Sequence, residues 1–127
     1  MTDAIVLKPI DADLQDKLAK TIANREALQA QINAVVSAGL RNVVFIGAGG
    51  SLIAAAPANY MLQRYSDINV LALQSDEVNT AQPSRIGPGS LVFLASHTGT
   101  TKETVAGMTT YDPLERGAYV LSAGLAP

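Results

Sequence analysis

The chain alternates between long stretches with apolar residues at helical spacing and short, nearly unbroken β-branched runs. Leu14, Leu18, Ile22, Leu28, Ile32, Val35, Val36 and Leu40 fall within an arc of roughly 140° at 100° per residue. The spacing predicts a helix over 11–38. Asp11 and Asp13 suit its N-cap and first turn, and Gly39 suits its C′ stop. Arg25 intrudes on the arc, which predicts a break or bend near Asn24–Glu26. Residues 1–10, with Pro9 near their end, read as an arm.

The β-branched runs predict strands. NVVFIG (42–47) has no polar alternation and reads as a strand buried on both faces. INVLAL (68–73), SLVFLAS (90–96) and AYVLS (118–122) read as three more. Ser51–Tyr65 reads as a helix with Ser51 as its N-cap candidate, but Pro57 removes a helix hydrogen bond and predicts a kink or a delayed start. SDEVNTAQPSRIGPG (75–89) reads as a polar loop punctuated by Gly87-Pro88-Gly89. Thr100–Thr110 reads as a helix, Thr100 to Glu103 matching the capping-box pattern.

Strands alternating with helices imply an α/β fold, a doubly wound parallel sheet between helical layers. Ligands of such sheets sit beyond the carboxyl ends of the strands, where the strand order switches. Three segments lie there: Gly47–Ser51, Gln74–Glu77 and Ser96–Thr101. After the fourth strand only GLAP follows, which would leave an edge and a face of the sheet uncovered. The expectation is one domain over 11–127, with its sheet region over 40–122, incomplete at its C-terminus.

Composition narrows the chemistry. A length of 127 residues gives room for one core. A net charge of −2 with no basic stripe argues against a nucleic-acid backbone as partner. Without cysteine and with a single histidine, neither a thiolate nor a multi-histidine metal site is expected. No run approaches the roughly 20 apolar residues of a membrane helix, and the N-terminus is unlike a signal peptide. A cytoplasmic protein without a cofactor is the expectation.

Of the two loops, the glycine-rich one invites a dinucleotide reading. The fingerprint G-x-G-x-x-G is met by Gly47 and Gly49, but Leu52 occupies the third glycine position. Asp76 and Glu77 lie well past the acidic position expected about 20 residues on. No Lys-Ser or Lys-Thr follows the glycines, so the Walker pattern is absent as well. The second loop, SHTGTTKET, surrounds Gly99 with hydroxyls where a strand hands over to a helix. Amides at a helix start face an anion favourably, and Ser96, Thr98 and Thr101 can donate to phosphate oxygens.

Together these two loops resemble the sugar isomerase (SIS) domain family. Its G-x-G-x-S is met by Gly47, Gly49 and Ser51. Its S-x-S-G-x-T-x-[DE] is met by Ser96, His97, Thr98, Gly99, Thr100, Thr101, Lys102 and Glu103, with Thr98 in place of serine. Asp76-Glu77 matches a step between the motifs, and the resemblance covers about residues 40–122. It implies a five-stranded parallel sheet, a homodimer or higher homo-oligomer, and a phosphorylated sugar or fructosamine phosphate as ligand. Ser96, His97, Thr98, Gly99 and Thr101 would hold the phosphate; Gly47, Gly49, Gly50 and Ser51 would close on the sugar. The T-K-E-T continuation resembles the branch that deglycates fructosamine phosphates.

Isomerases of the family use a glutamate base and a ring-opening histidine, which the resemblance places downstream or on another subunit. Within this chain Glu77 and His97 are the candidates for acid–base work. His97 also reads as a phosphate donor, Glu77 as a structural partner, Glu103 as a helix cap and Lys102 as a solvated side chain. Two other functions fit the same loops: a non-catalytic sugar-phosphate sensor and a dinucleotide-binding fragment.

Overall fold

The computed structural model describes residues 13–96, 102, 104–106 and 119–124, the last stretch by its backbone. The chain divides into two compact units, residues 1–34 and 35–127.

The first unit holds α1 (Asp13–Ala23) and most of α2 (Arg25–Ser37). The break predicted by Arg25 falls at Asn24. Its N–H is shared between the carbonyls of Lys20 (3.1 Å) and Thr21 (3.2 Å), and its own carbonyl accepts from Leu28 N–H (3.0 Å) to begin α2. Asp13 and Asp16 in the first turn of α1 and Lys20 in its last complement the helix dipole. The apolar arc of α1 buries none of its residues, and Ile22 is 71% exposed.

The second unit is a parallel sheet of β1 (Asn42–Gly47), β2 (Asn69–Gln74), β3 (Ser90–Ser96) and β4 (Tyr119–Gly124), in the order β2-β1-β3-β4. Four strands are present among the described residues, so the fifth that the family resemblance implies is not among them. β1 is buried along its whole length, as its unbroken apolar run requires of a central strand, whereas β2 is half-exposed at the edge. One sheet face carries the core: Val44 and Ile46 from β1 and Val92 and Leu94 from β3, with Leu71 and Leu73 of β2 beside them. On the other, Phe45 and Phe93 are register partners whose rings stack at 5.4 Å between centroids.

Pro57 delays its helix as expected. A short α3 (Gly50–Ile53) precedes α4 (Ala56–Tyr65), and Pro57 sits in the first turn of α4, where an absent N–H costs no hydrogen bond. The polar loop expected over 75–89 is partly wrong. Ser75–Ala81 forms α5, which buries Ser75 and Val78 three residues apart and ends at Gln82 in the left-handed region (φ 42°). Val78 joins the core cluster, so one tertiary contact outweighs a polar composition. In the predicted helix over 100–110, Lys102 and Thr104–Ala106 are helical and the remaining positions lie outside the described residues.

At the amino end of the sheet a buried polar knot fixes the return into β3. Ser90 Oγ donates to Asn42 Oδ1 (2.6 Å) and accepts from Gly87 N–H (3.1 Å), while Asn42 Nδ2 donates to the Arg85 carbonyl (3.1 Å).

Candidate functional site

The strand order places the switch point between β1 and β3: the chain leaves β1 for β2 on one side and returns to β3 on the other. Register pairs Gly47 at the end of β1 with Ala95 of β3 and with Gln74 of β2. Thus the residues that begin the glycine loop, the β2–α5 junction and the hydroxyl loop stand at one edge of the sheet. Ligands of parallel α/β sheets bind at such a point.

Two glycines shape the first loop for different reasons. A Cβ on Gly47 would lie 3.0 Å from Leu52 N, 3.2 Å from Ala95 O and 3.2 Å from Ser51 C, so only glycine lets α3 start this close to two strand ends. Gly49 has φ 55° and ψ −122°, a backbone disfavoured for residues with a side chain, and it occupies the N-cap position of α3. The predicted capping role of Ser51 is therefore wrong: Ser51 lies inside the first turn of α3, half-buried, with its N–H bonded to Ala48 O (3.3 Å). Ala48, Gly49 and Gly50 are exposed, leaving bare backbone at the mouth of the switch point.

The β2–α5 junction contributes residues that the motifs did not single out. Gln74 Oε1 accepts a hydrogen bond from Gly49 N–H (3.3 Å). The Ser75 and Thr104 hydroxyls are hydrogen-bonded at 2.8 Å, with Ser75 1% and Thr104 4% exposed. The sequence offered Ser75 only as part of the polar segment Gln74–Glu77 at a strand end, and Thr104 only as part of the hydroxyl-rich SHTGTTKET. Glu77 is exposed in the first turn of α5, where its N–H donates to Asp76 Oδ1 (2.9 Å). With Leu73, Val78 and Pro83 among others, it lines a pocket of about 560 Å³ to which no described residue of the glycine loop contributes.

Ser96 closes β3, half-buried and in register with Gly124 of β4. Lys102 is exposed. His97, Thr98, Gly99, Thr101 and Glu103 lie outside the described residues. Among the described residues no group of three or more acidic or histidine side chains could hold a metal ion, and no helix is long and apolar enough to cross a membrane.

No family model matches the chain. It is 36% identical over 83 residues to the fructosamine deglycase FrlB of Bacillus subtilis, a match covering 65% of this chain and 25% of that protein. The fold overlays on the crystal structure of a candidate phosphosugar isomerase from Bacillus subtilis with a TM-score of 0.69 and 30% identity, over 76% of this chain and 29% of that one. A candidate phosphosugar isomerase from Salmonella typhimurium gives 0.73 and 27% identity, over 98% and 34%. Tagatose-6-phosphate ketose/aldose isomerase from Escherichia coli gives 0.68 over 84% and 30%; at 19% identity that likeness is one of fold. The match thus spans about a quarter of the curated relative and about a third of each solved chain.

Proposed function

We propose that this chain, which belongs to the sugar isomerase (SIS) type of phosphosugar isomerase in both sequence and fold, forms the phosphosugar-binding part of a sugar-phosphate isomerase or fructosamine-phosphate deglycase. The observation that carries the reading is the register of Gly47 against Ala95, which sets the glycine loop beside the start of the hydroxyl loop at the switch point. Ser96, His97, Thr98, Gly99 and Thr101 hold the phosphate through hydroxyls and amides. Gly47, Gly49, Gly50 and Ser51 meet the sugar, where the bare backbone of the glycine loop permits a close approach.

Moving a proton between neighbouring carbons of the sugar needs a base near neutrality. In this reading the base comes from another part of the protein or from a second subunit of a homo-oligomer. Glu77 lines a pocket to which no described residue of the glycine loop contributes, and it is given no part in the proton transfer. We place the protein in the cytoplasm, where phosphorylated sugars are made and used.

A thermal-unfolding titration tests the reading. Glucose 6-phosphate at about 100 times its Kd stabilises the fold by about 2.7 kcal/mol, and NAD at the same concentration leaves Tm unchanged. Thr98→Val with Thr101→Val weakens glucose 6-phosphate binding by about tenfold or more, since each lost bond to a charged group is worth about 1.5–3 kcal/mol. Stabilisation by NAD, or undiminished affinity in the double variant, refutes the assignment.

A further inference from the structure

Gln74 and Ser75 are consecutive in the chain, yet each is tied to a different one of the two loop regions at the switch point. Gln74 ends β2 and accepts from Gly49 N–H in the glycine loop, 25 residues away. Ser75 opens α5 and is hydrogen-bonded to Thr104, 29 residues away, in the helical residues that follow the hydroxyl loop. We infer that Gln74 and Ser75 are positioning residues, a bracket that sets the distance between the glycine loop and the helical residues that follow the hydroxyl loop; this rests on the phosphosugar reading above.

Two features make the bracket specific. The Ser75–Thr104 pair is buried, so neither hydroxyl has water as a substitute partner, and the bond fixes where Thr104 stands relative to the end of β2. The Gly49 bond restrains a residue whose positive φ makes its loop sensitive to small changes in support. A ligand that spans both loops responds to their separation. A ligand held by the phosphate loop alone does not.

That difference supplies the test. Binding of glucose 6-phosphate and of inorganic phosphate is measured by calorimetry on the full chain. In Gln74→Met with Ser75→Ala, affinity for glucose 6-phosphate falls about five- to tenfold while affinity for inorganic phosphate stays within about twofold. Thr104→Val reproduces the split, and Thr104→Ser, which keeps the hydroxyl, binds both ligands as the wild type does. Gln74→Met alone changes a half-buried residue outside the core cluster and gives a smaller split if the double variant does not fold. An equal fall for both ligands, or no change in folded variants, overturns the bracket. A wild-type chain that binds neither ligand refutes the phosphosugar reading by itself. Amide exchange at Gly49 and Thr104 then decides the bracket: faster exchange in the variants supports it, and unchanged exchange removes it.

Discussion

Substituting Gly47 with alanine tests the closest packing in the site. The added Cβ would meet Leu52 N at 3.0 Å and Ala95 O and Ser51 C at 3.2 Å. All three are backbone atoms of α3 and β3, so no side chain can swing aside, and the start of α3 or the end of β3 must shift by tenths of an ångström. Forcing a methyl into a well-packed place costs about 1–3 kcal/mol. For a domain of about 100 residues that lowers Tm by about 4–24 °C. Gly50→Ala is the internal control: nothing lies within 4 Å of its Cβ, and alanine inside α3 is neutral or stabilising by up to about 1 kcal/mol. Gly49→Ala has room for its methyl but not the backbone freedom, and φ 55° with ψ −122° costs alanine about 1–3 kcal/mol. Urea unfolding followed by circular dichroism ranks the three, with Gly50→Ala highest and both others well below it. A Gly47→Ala midpoint equal to that of Gly50→Ala would refute the packing argument.

Two further outcomes follow from packing away from the ligand loops. Ser90→Ala strands Asn42 Oδ1 and the Gly87 N–H in a buried place, and urea denaturation should show a loss of about 1–3 kcal/mol. Pro57→Ala frees the unfolded chain without adding a helix bond at the first turn of α4, so Tm should fall by the equivalent of about 0.4–1 kcal/mol; a rise in Tm would mean that proline strains the helix start.

β1 was legible because burial on both faces leaves an unbroken apolar run, Val43–Ile46, with little competing interpretation. The gap between α1 and α2 was legible because Arg25 interrupts an otherwise apolar arc. α5 was hidden: two buried residues, Ser75 and Val78, are too few to show a helical period, and its stability comes from the core contact of Val78. Ser51 misled because serine is a common N-cap, while the backbone of Gly49 moved the helix start ahead of it. At the site, position was readable from the alternation of strands and helices, since the carboxyl ends of parallel strands all lie at one end of the sheet. The partners of Gly49 and Thr104 were not, because they join residues 25 and 29 apart that no local pattern relates.

The connection from Gln82 to Gly89 has neither helix nor strand, yet Ile86 within it is 1% exposed and belongs to the core. Arg41 N–H bonds to the Gly89 carbonyl at 2.8 Å, and the Arg41 side chain lies against Gly89. A protease would have to pull Ile86 out of the interior before this stretch could enter its cleft, so limited digestion should spare it. For the same reason it is a poor place to splice in a tag or a reporter, although its Gly-Pro-Gly spelling looks like an invitation to do so.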